Sequence, residues 1–277
     1  MYNVTLLQRM LVLKELKGKK LSSYNLHFTA SSAPLAQQAF KEFTAIYKQT
    51  PLSEAKAIVA LGGDGRMLDS MKDAMAHDIP IFGFNFGHVG YLMNPPFRAQ
   101  DLVHRLQRAR AVTFHPLNIQ VSFADKEDAQ LTAFNDCAVR RLHSQSAHIR
   151  IRMMLNGKEI VMCDPLIGDG AVIATPLGST AYFCMAGGRP IPWSQSVLGI
   201  HSICARPKLH KRVSNQSEIL IETLDVHKRP VVVSGDNREY ANPTKCCIKE
   251  DSTKQVQVLF DPMTLLKRRL MQARYIR

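Results

Sequence analysis

The first third of the chain alternates short apolar runs with helical stripes. Asn25–Ala30 reads as a strand, and Ser31 and Ser32 behind it offer helix N-caps. Leu35, Ala36, Ala39, Phe40 and Phe43 recur at helical spacing, and Ile46 and Tyr47 continue that face. Ala57–Leu61 is an uninterrupted apolar run, as expected of a parallel strand buried on both faces. It runs directly into Gly62-Gly63-Asp64-Gly65. Met67, Leu68, Met71 and Met75 mark the next helix, and Ile79–Phe84 the next strand, ending at Asn85 and the glycines Gly87 and Gly90. Such alternation predicts a parallel sheet with right-handed crossovers.

The pattern changes near residue 112. Leu117–Phe123, Leu131–Val139 and Ile149–Leu155 alternate in part, as strands do, and Asn156-Gly157 joins Ile149–Leu155 to Lys158–Met162 as a type I′ hairpin. Ala171–Ala174, Ile219–Glu222 and Val231–Ser234 are further strands. Thr253–Phe260 reads as a last strand and Met263–Arg274 as a terminal helix. The expected division is an α/β domain over residues 1–111, a β-rich domain over 112–250, and a strand and helix over 251–277 that can return to the first domain.

Composition narrows the function classes. The 277 residues are 45% hydrophobic and 21% charged, which is ordinary for a chain that buries a core. The net charge of +13 is compatible with phosphorylated ligands, but equally with a basic solvated surface. The basic residues are dispersed, and Trp193 is the only tryptophan, so a grip on single-stranded nucleic acid is not expected. No run approaches a membrane span. Leu11-Val12-Leu13 is too short for a signal-peptide core and is interrupted at once by Lys14, Glu15 and Lys17. Six cysteines, with no C-x-x-C pair and no secretory signal, read as reduced thiols of a cytoplasmic protein. No zinc or other protein-held metal site is expected.

Three segments can carry chemistry. Gly62-Gly63-Asp64-Gly65 lies where a buried strand meets a helix, the edge at which open α/β sheets bind ligands. Glycine there lets backbone N–H groups approach a phosphate. An aspartate repels phosphate, so Asp64 is open to three readings: a helix cap, a base for an attacking hydroxyl, or a group facing phosphate-bound magnesium. Asn135-Asp136 can hold a ribose diol, or merely form a turn. In the run from Gly168 to Tyr182 a strand leads into a polar turn. Ser179 or Thr180 could cap a helix there, and Tyr182 could stack on a base.

Taken in order, A-L-G-G-D-G, G-F-N-F-G-H-V-G-Y-L, F-N-D, D-G-A-V-I-A-T-P-L-G-S-T-A-Y and A-G-G-R-P-I resemble the NAD kinase family from residue 24 to about residue 240. The run Asp169–Tyr182 is the most specific; G-G-D-G alone is shared with diacylglycerol-type lipid kinases and phosphofructokinases. The resemblance implies a Rossmann-like α/β domain followed by a β-rich, sandwich-like domain, with the active site between them. It implies phosphorylation of the adenosine-ribose 2′-hydroxyl of NAD by ATP or polyphosphate, with Mg2+ brought in by ATP. Asp64 is then the base. Gly62, Gly63, Gly65, Arg66 and Asn85 fall to the phosphate-side turns, and Asn135 and Asp136 to the ribose. Thr180, Ala181 and Tyr182 surround the adenine and its neighbours, with Thr175 among the substrate-binding residues and His148 and Asn237 aligned near the site. Asp169 would reach NAD bound mainly to a neighbouring subunit, which implies a homodimer or homotetramer. Arg66 replaces a common threonine, and Met185 a common serine that would bind NAD.

Overall fold

The computed structural model describes residues 24–273. The Leu11–Leu13 segment and Arg274 lie outside the described residues. The described chain forms two compact units, one of residues 24–114 with Gln255–Arg268, the other of His115–Lys254 with residues 269–273.

The first unit is built on β1 (Leu26–Ala30), α1 (Pro34–Tyr47), β2 (Ala57–Gly62), α2 (Asp64–Ala76), β3 (Ile81–Asn85), α3 (Leu102–Arg108) and β4 (Arg110–Phe114). β1, β2 and β3 pair in parallel, as their apolar runs predict, and every residue of β2 is buried. Helix α1 buries Ala36, Ala39, Phe43 and Tyr47 against Phe28 and Phe84. Ser31 and Ser32 do not cap this helix. Its N-cap is Ala33, without a side-chain hydrogen bond, and Pro34 fills the first turn, where a missing N–H costs nothing.

The second unit contains β5 (Leu117–Ser122), β6 (Ala129–Ala133), β7 (Asp136–Arg141), β8 (Ala147–Leu155), β9 (Lys158–Gly168), β10 (Gly170–Ala174), the short helix α4 (Tyr182–Met185), β11 (Val197–Ile203), β12 (His210–Ser214), β13 (Glu218–Thr223), β14 (Val231–Gly235), β15 (Arg238–Ala241) and β16 (Lys245–Glu250). They form two six-stranded sheets, ordered β12-β11-β10-β7-β14-β15 and β6-β5-β16-β13-β8-β9. One core, including Ile119, Val139, Ile151, Ile173, Ile219 and Val233, draws on both sheets, which makes this unit a sandwich. The β8–β9 hairpin turns at Asn156 and Gly157, with φ of 51° and 75°, as a type I′ turn requires.

Several strand boundaries differ from the sequence reading; β9, for example, runs on from Met162 to Gly168. Leu131–Val139 is not one strand: β6 and β7 are separated at Phe134-Asn135. The last strand, β17 (Val256–Phe260), starts three residues later than Thr253. β17 inserts between β3, in parallel, and β4, antiparallel, within the first unit's sheet. It leads into the terminal helix α5 (Pro262–Ala273). All six cysteines are free thiols.

Candidate active site

In the first unit, β2 ends in Gly62 and α2 begins at Asp64, with Gly63 as N-cap. Gly62 is tightly enclosed: a Cβ would sit 3.0 Å from the Arg66 Cβ and 3.1 Å from that of Ser31, so those neighbours would have to give. The next loop lies against this turn. A Cβ on Gly87 would meet the Gly63 Cα at 3.2 Å, and Phe86 N–H donates to the Gly62 carbonyl at 2.7 Å. Asp64 is therefore more than a helix-start residue. Its two carboxylate oxygens accept from Tyr91 N–H at 2.9 Å and Leu92 N–H at 2.7 Å. That pair of bonds fixes the carboxylate plane while leaving lone pairs on both oxygens.

Asn85 organises the same loop. Its Oδ1 accepts from Gly87 N–H at 2.9 Å, and its Nδ2 donates to the Val89 carbonyl at 3.4 Å. Gly90 turns at φ 63°, where a Cβ would lie 2.2 Å from the Asn85 side chain. Asn85 also lines a cleft of about 370 Å³ with Gln38, Glu42, Phe86 and Phe97. Gly65 is open on its Cβ side, and the Arg66 Nε is buried without a hydrogen-bond partner among the described residues.

In the second unit the break at Phe134-Asn135 has a visible cause. Asp236, at φ 47° in the β14–β15 turn, accepts from Phe134 N–H at 2.9 Å and Asn135 N–H at 3.1 Å. Thr175 secures the other side. Its buried hydroxyl donates to the Phe134 carbonyl at 2.7 Å and accepts from Gly178 N–H at 3.0 Å, while its own N–H donates to the Asn135 carbonyl. The backbone is thus clamped, and the Asn135 and Asp136 side chains are presented from a rigid corner.

Asp136 lies at the start of β7 on the face that carries Ala138, and Phe183 of α4 covers that face. Burial, together with the charge of Asp236, pushes the Asp136 carboxyl up to about 7. Tyr182 is close enough to feel Arg140, Asp136 and Asp169, and burial pushes its phenol up. Asp169 forms an ion pair with Arg141 at 2.6 Å, at the corner between β9 and β10. The structure therefore places Asn135, Asp136 and Thr175 at one end of the β7–β10 pair and Asp169 at the other, with Tyr182 of α4 within electrostatic reach of both Asp136 and Asp169.

Other expected site residues stand differently. Neither Ser179 nor Thr180 caps a helix, because the segment from Gly178 to Thr180 is itself a 3-10 turn and Ala181 is the N-cap of α4. The Ser179 hydroxyl donates to the Pro176 carbonyl and accepts from Ile191 N–H, so it staples the loop. Thr180 donates to the Leu177 carbonyl at 3.4 Å. Met185 is 85% exposed at the end of α4, and Asn237 follows Asp236 in its turn. His148 alternates to the outer face of β8, in the other sheet, where Arg229, Asp225 and Lys228 set its electrostatic surroundings; burial lowers its pKa. Two residues were not foreseen as organisers. Asp236 adjoins Asn237, and Arg268 belongs to the basic group Lys267/Arg268/Arg269; neither setting in the sequence signals an organising role. Arg268 donates to the Gly90 carbonyl at 2.6 Å and lies 4.5 Å from the Tyr91 ring centre.

A glycine-bounded carboxylate at the carboxyl edge of a parallel sheet, and a clamped Asn-Asp corner on a sandwich, define a nucleotide-handling enzyme of two-unit α/β-plus-β architecture. Comparison with known proteins narrows this. Residues 4–110 match the ATP-NAD kinase N-terminal domain and residues 135–259 the ATP-NAD kinase C-terminal domain. An NAD kinase of Hyphomonas neptunium is 33% identical over 92% of this chain and 99% of its own length. One of Xylella fastidiosa is 35% identical over 90% of this chain and 95% of its own. The fold is that of yeast NADH kinase in complex with NADH (TM-score 0.72, 18% identity, covering 88% of this chain and 85% of that one). It is also that of an Archaeoglobus fulgidus NAD kinase in complex with ATP (TM-score 0.66, 19% identity, 88% and 98%). The chain belongs to the NAD kinase family.

Proposed function

We infer that this chain is an NAD kinase that transfers the γ-phosphoryl group of ATP to the adenosine-ribose 2′-hydroxyl of NAD, making NADP. The observation that carries the chemistry is the Asp64 carboxylate, held by two backbone N–H groups within a glycine turn. Asn135 and Asp136 hold the ribose hydroxyls. Asp64 accepts the 2′-hydroxyl proton as that oxygen attacks the γ-phosphorus, and the bond to the β,γ-bridging oxygen breaks, leaving ADP. Thr175 supports the ribose corner, while Thr180, Ala181 and Tyr182 flank the adenine. Asp169 reaches NAD bound to a neighbouring copy, in a homodimer or homotetramer. Met185 stands where a serine would hydrogen-bond, so that contact is absent here. His148 and Asn237 are peripheral members of the site.

The donor phosphates fall to the N-terminus of α2, where Gly63 and Gly65 N–H groups and the helix dipole favour anions. The buried Nε of Arg66 supports a place for its cation beside them. Among the described residues, no three His, Cys, Asp or Glu side chains come together in a set that could hold a metal. Magnesium brought in with ATP would supply positive charge to the donor phosphates at this turn. No helix of the described residues is long and apolar enough to cross a membrane. The six free thiols support a cytoplasmic setting.

Asp64→Asn is the test. The amide keeps the shape but only one acceptor oxygen, so one of the two loop N–H groups loses its partner, and it cannot take a proton. Turnover should fall by about 10²–10⁴-fold, the range for a lost general base, while NAD affinity by calorimetry stays near wild type and stability falls by no more than about 1–3 kcal/mol, the cost of one lost hydrogen bond. Turnover near wild type in that variant removes Asp64 from the mechanism.

A further inference from the structure

We propose that Arg268, on the C-terminal helix, is a positioning residue that holds the Gly90–Leu92 loop and thereby aims the Asp64 carboxylate. The inference rests on the reading of Asp64 as the base.

Asp64 is aimed by two N–H groups, and both belong to consecutive residues of one loop, Tyr91 and Leu92. The loop is glycine-bounded: Gly87 opens it, and Gly90 turns it at φ 63°. Glycines give the loop its path but no side-chain packing of their own, so its rigidity must come from elsewhere. Downstream it is well anchored. Asn94 is buried, and its amide donates to the Gly83 and Leu259 carbonyls. Between Gly90 and Leu92, where Leu92 is itself buried, Arg268 adds a side-chain anchor. Its Nη2 donates to the Gly90 carbonyl at 2.6 Å, and its guanidinium lies over the Tyr91 ring at 4.5 Å. Two successive residues of the loop are thus held by one planar group, through a charge-assisted hydrogen bond and a cation–π contact.

This contact joins positions 178 residues apart in sequence, so it forms only when the C-terminal helix has docked. The site of docking is also electrically apt. Burial pulls the Arg268 pKa down, and the charges of Tyr91 and Asp64 act in the opposite direction. A half-buried cation is thereby stationed close to the carboxylate that must receive a proton. A purely structural contact would affect folding or substrate binding. A positioning contact affects the chemical step, because a displacement of about 1 Å at the reacting atoms costs on the order of 10²-fold in rate.

The test compares Arg268→Ala, Arg268→Lys and Arg268→Gln with Asp64→Asn in steady-state assays with NAD and ATP. Arg268→Ala is expected to lower kcat by about 10²-fold with the KM values for both substrates nearly unchanged, the pattern of an interaction that matters in the transition state. Arg268→Lys should recover part of that loss, because it still donates to the Gly90 carbonyl. Free guanidinium ion should also restore turnover to Arg268→Ala but not to Asp64→Asn. Wild-type kcat in Arg268→Ala beside an inert Asp64→Asn would overturn the proposal, as would a loss confined to KM. If Arg268→Ala does not fold, the remaining two variants decide: equal turnover in Arg268→Lys and Arg268→Gln overturns it, and higher turnover in the lysine variant supports it. An active Asp64→Asn would overturn the reading of Asp64 itself, and this inference with it.

Discussion

Asp136, at the Asn135-Asp136 corner, carries a strongly raised carboxyl. Burial and the charge of Asp236 raise it from the ordinary value of 3.8 to about 7. A raised carboxyl stabilises the fold through its neutral form. That contribution is complete below the unfolded-state value and is lost as pH rises through the folded one. The melting temperature of the free protein should therefore fall between about pH 4 and pH 8 by an increment that Asp136→Asn lacks. Thermal denaturation of both proteins across that range checks this, and parallel curves would rule it out. An ionised Asp136 is the better acceptor for a ribose hydroxyl, so NAD affinity should rise from pH 6 to 8 in wild type and stay flat in the asparagine variant. Thr175 gives a second prediction. Its hydroxyl is buried and joins the Phe134 carbonyl to Gly178 N–H. Thr175→Val should cost about 1–3 kcal/mol of stability by urea denaturation, because buried partners lose their bonds.

The loop after β10 shows why a corner of backbone can matter as much as a side chain. A Cβ on Gly178 would come within 2.0 Å of the Asn135 carbonyl oxygen. Gly178→Ala must therefore push this loop away from Asn135, and, with Asn135 and Asp136 proposed to hold the ribose, a rise in KM for NAD of at least about tenfold is expected, as for the loss of roughly 1.4 kcal/mol of binding. An unchanged KM would mean that the loop does not hold NAD. The buried elements were legible in the sequence because periodicity reports burial directly: β2 is apolar throughout, and α1 presents Ala36, Ala39, Phe43 and Tyr47 on one side. What periodicity cannot report is a carboxylate arriving from elsewhere. Asp236, about a hundred residues away, ends β6 at Phe134-Asn135 in the middle of an apolar run. Edge strands also escaped. Basic, half-exposed β12 and four-residue β15 have little apolar signal to read. The second half of β9, interrupted by Pro165, fits an edge strand, where proline is tolerated. The motif residues were found by resemblance, whereas the support behind them, Asp236 and Arg268, became visible only through three-dimensional contact.

The whole molecule carries +13 charges while its substrates are anionic. ATP bears more negative charge than NAD, so raising ionic strength should increase KM for ATP more steeply than KM for NAD; equal slopes would remove the basic surface from donor capture. Ligand linkage offers an independent check of binding. NAD at 100 times its dissociation constant should stabilise the fold by about 2.7 kcal/mol, provided it binds only the folded chain. The central claim is phosphoryl transfer to NAD with Asp64 as base. The most direct measurement is the purified chain mixed with NAD, ATP and magnesium, with NADP read out through an NADP-specific dehydrogenase. NADP should form with the wild-type chain and almost none with Asp64→Asn. NAD binding without any NADP, with polyphosphate also supplied as donor, would contradict that claim.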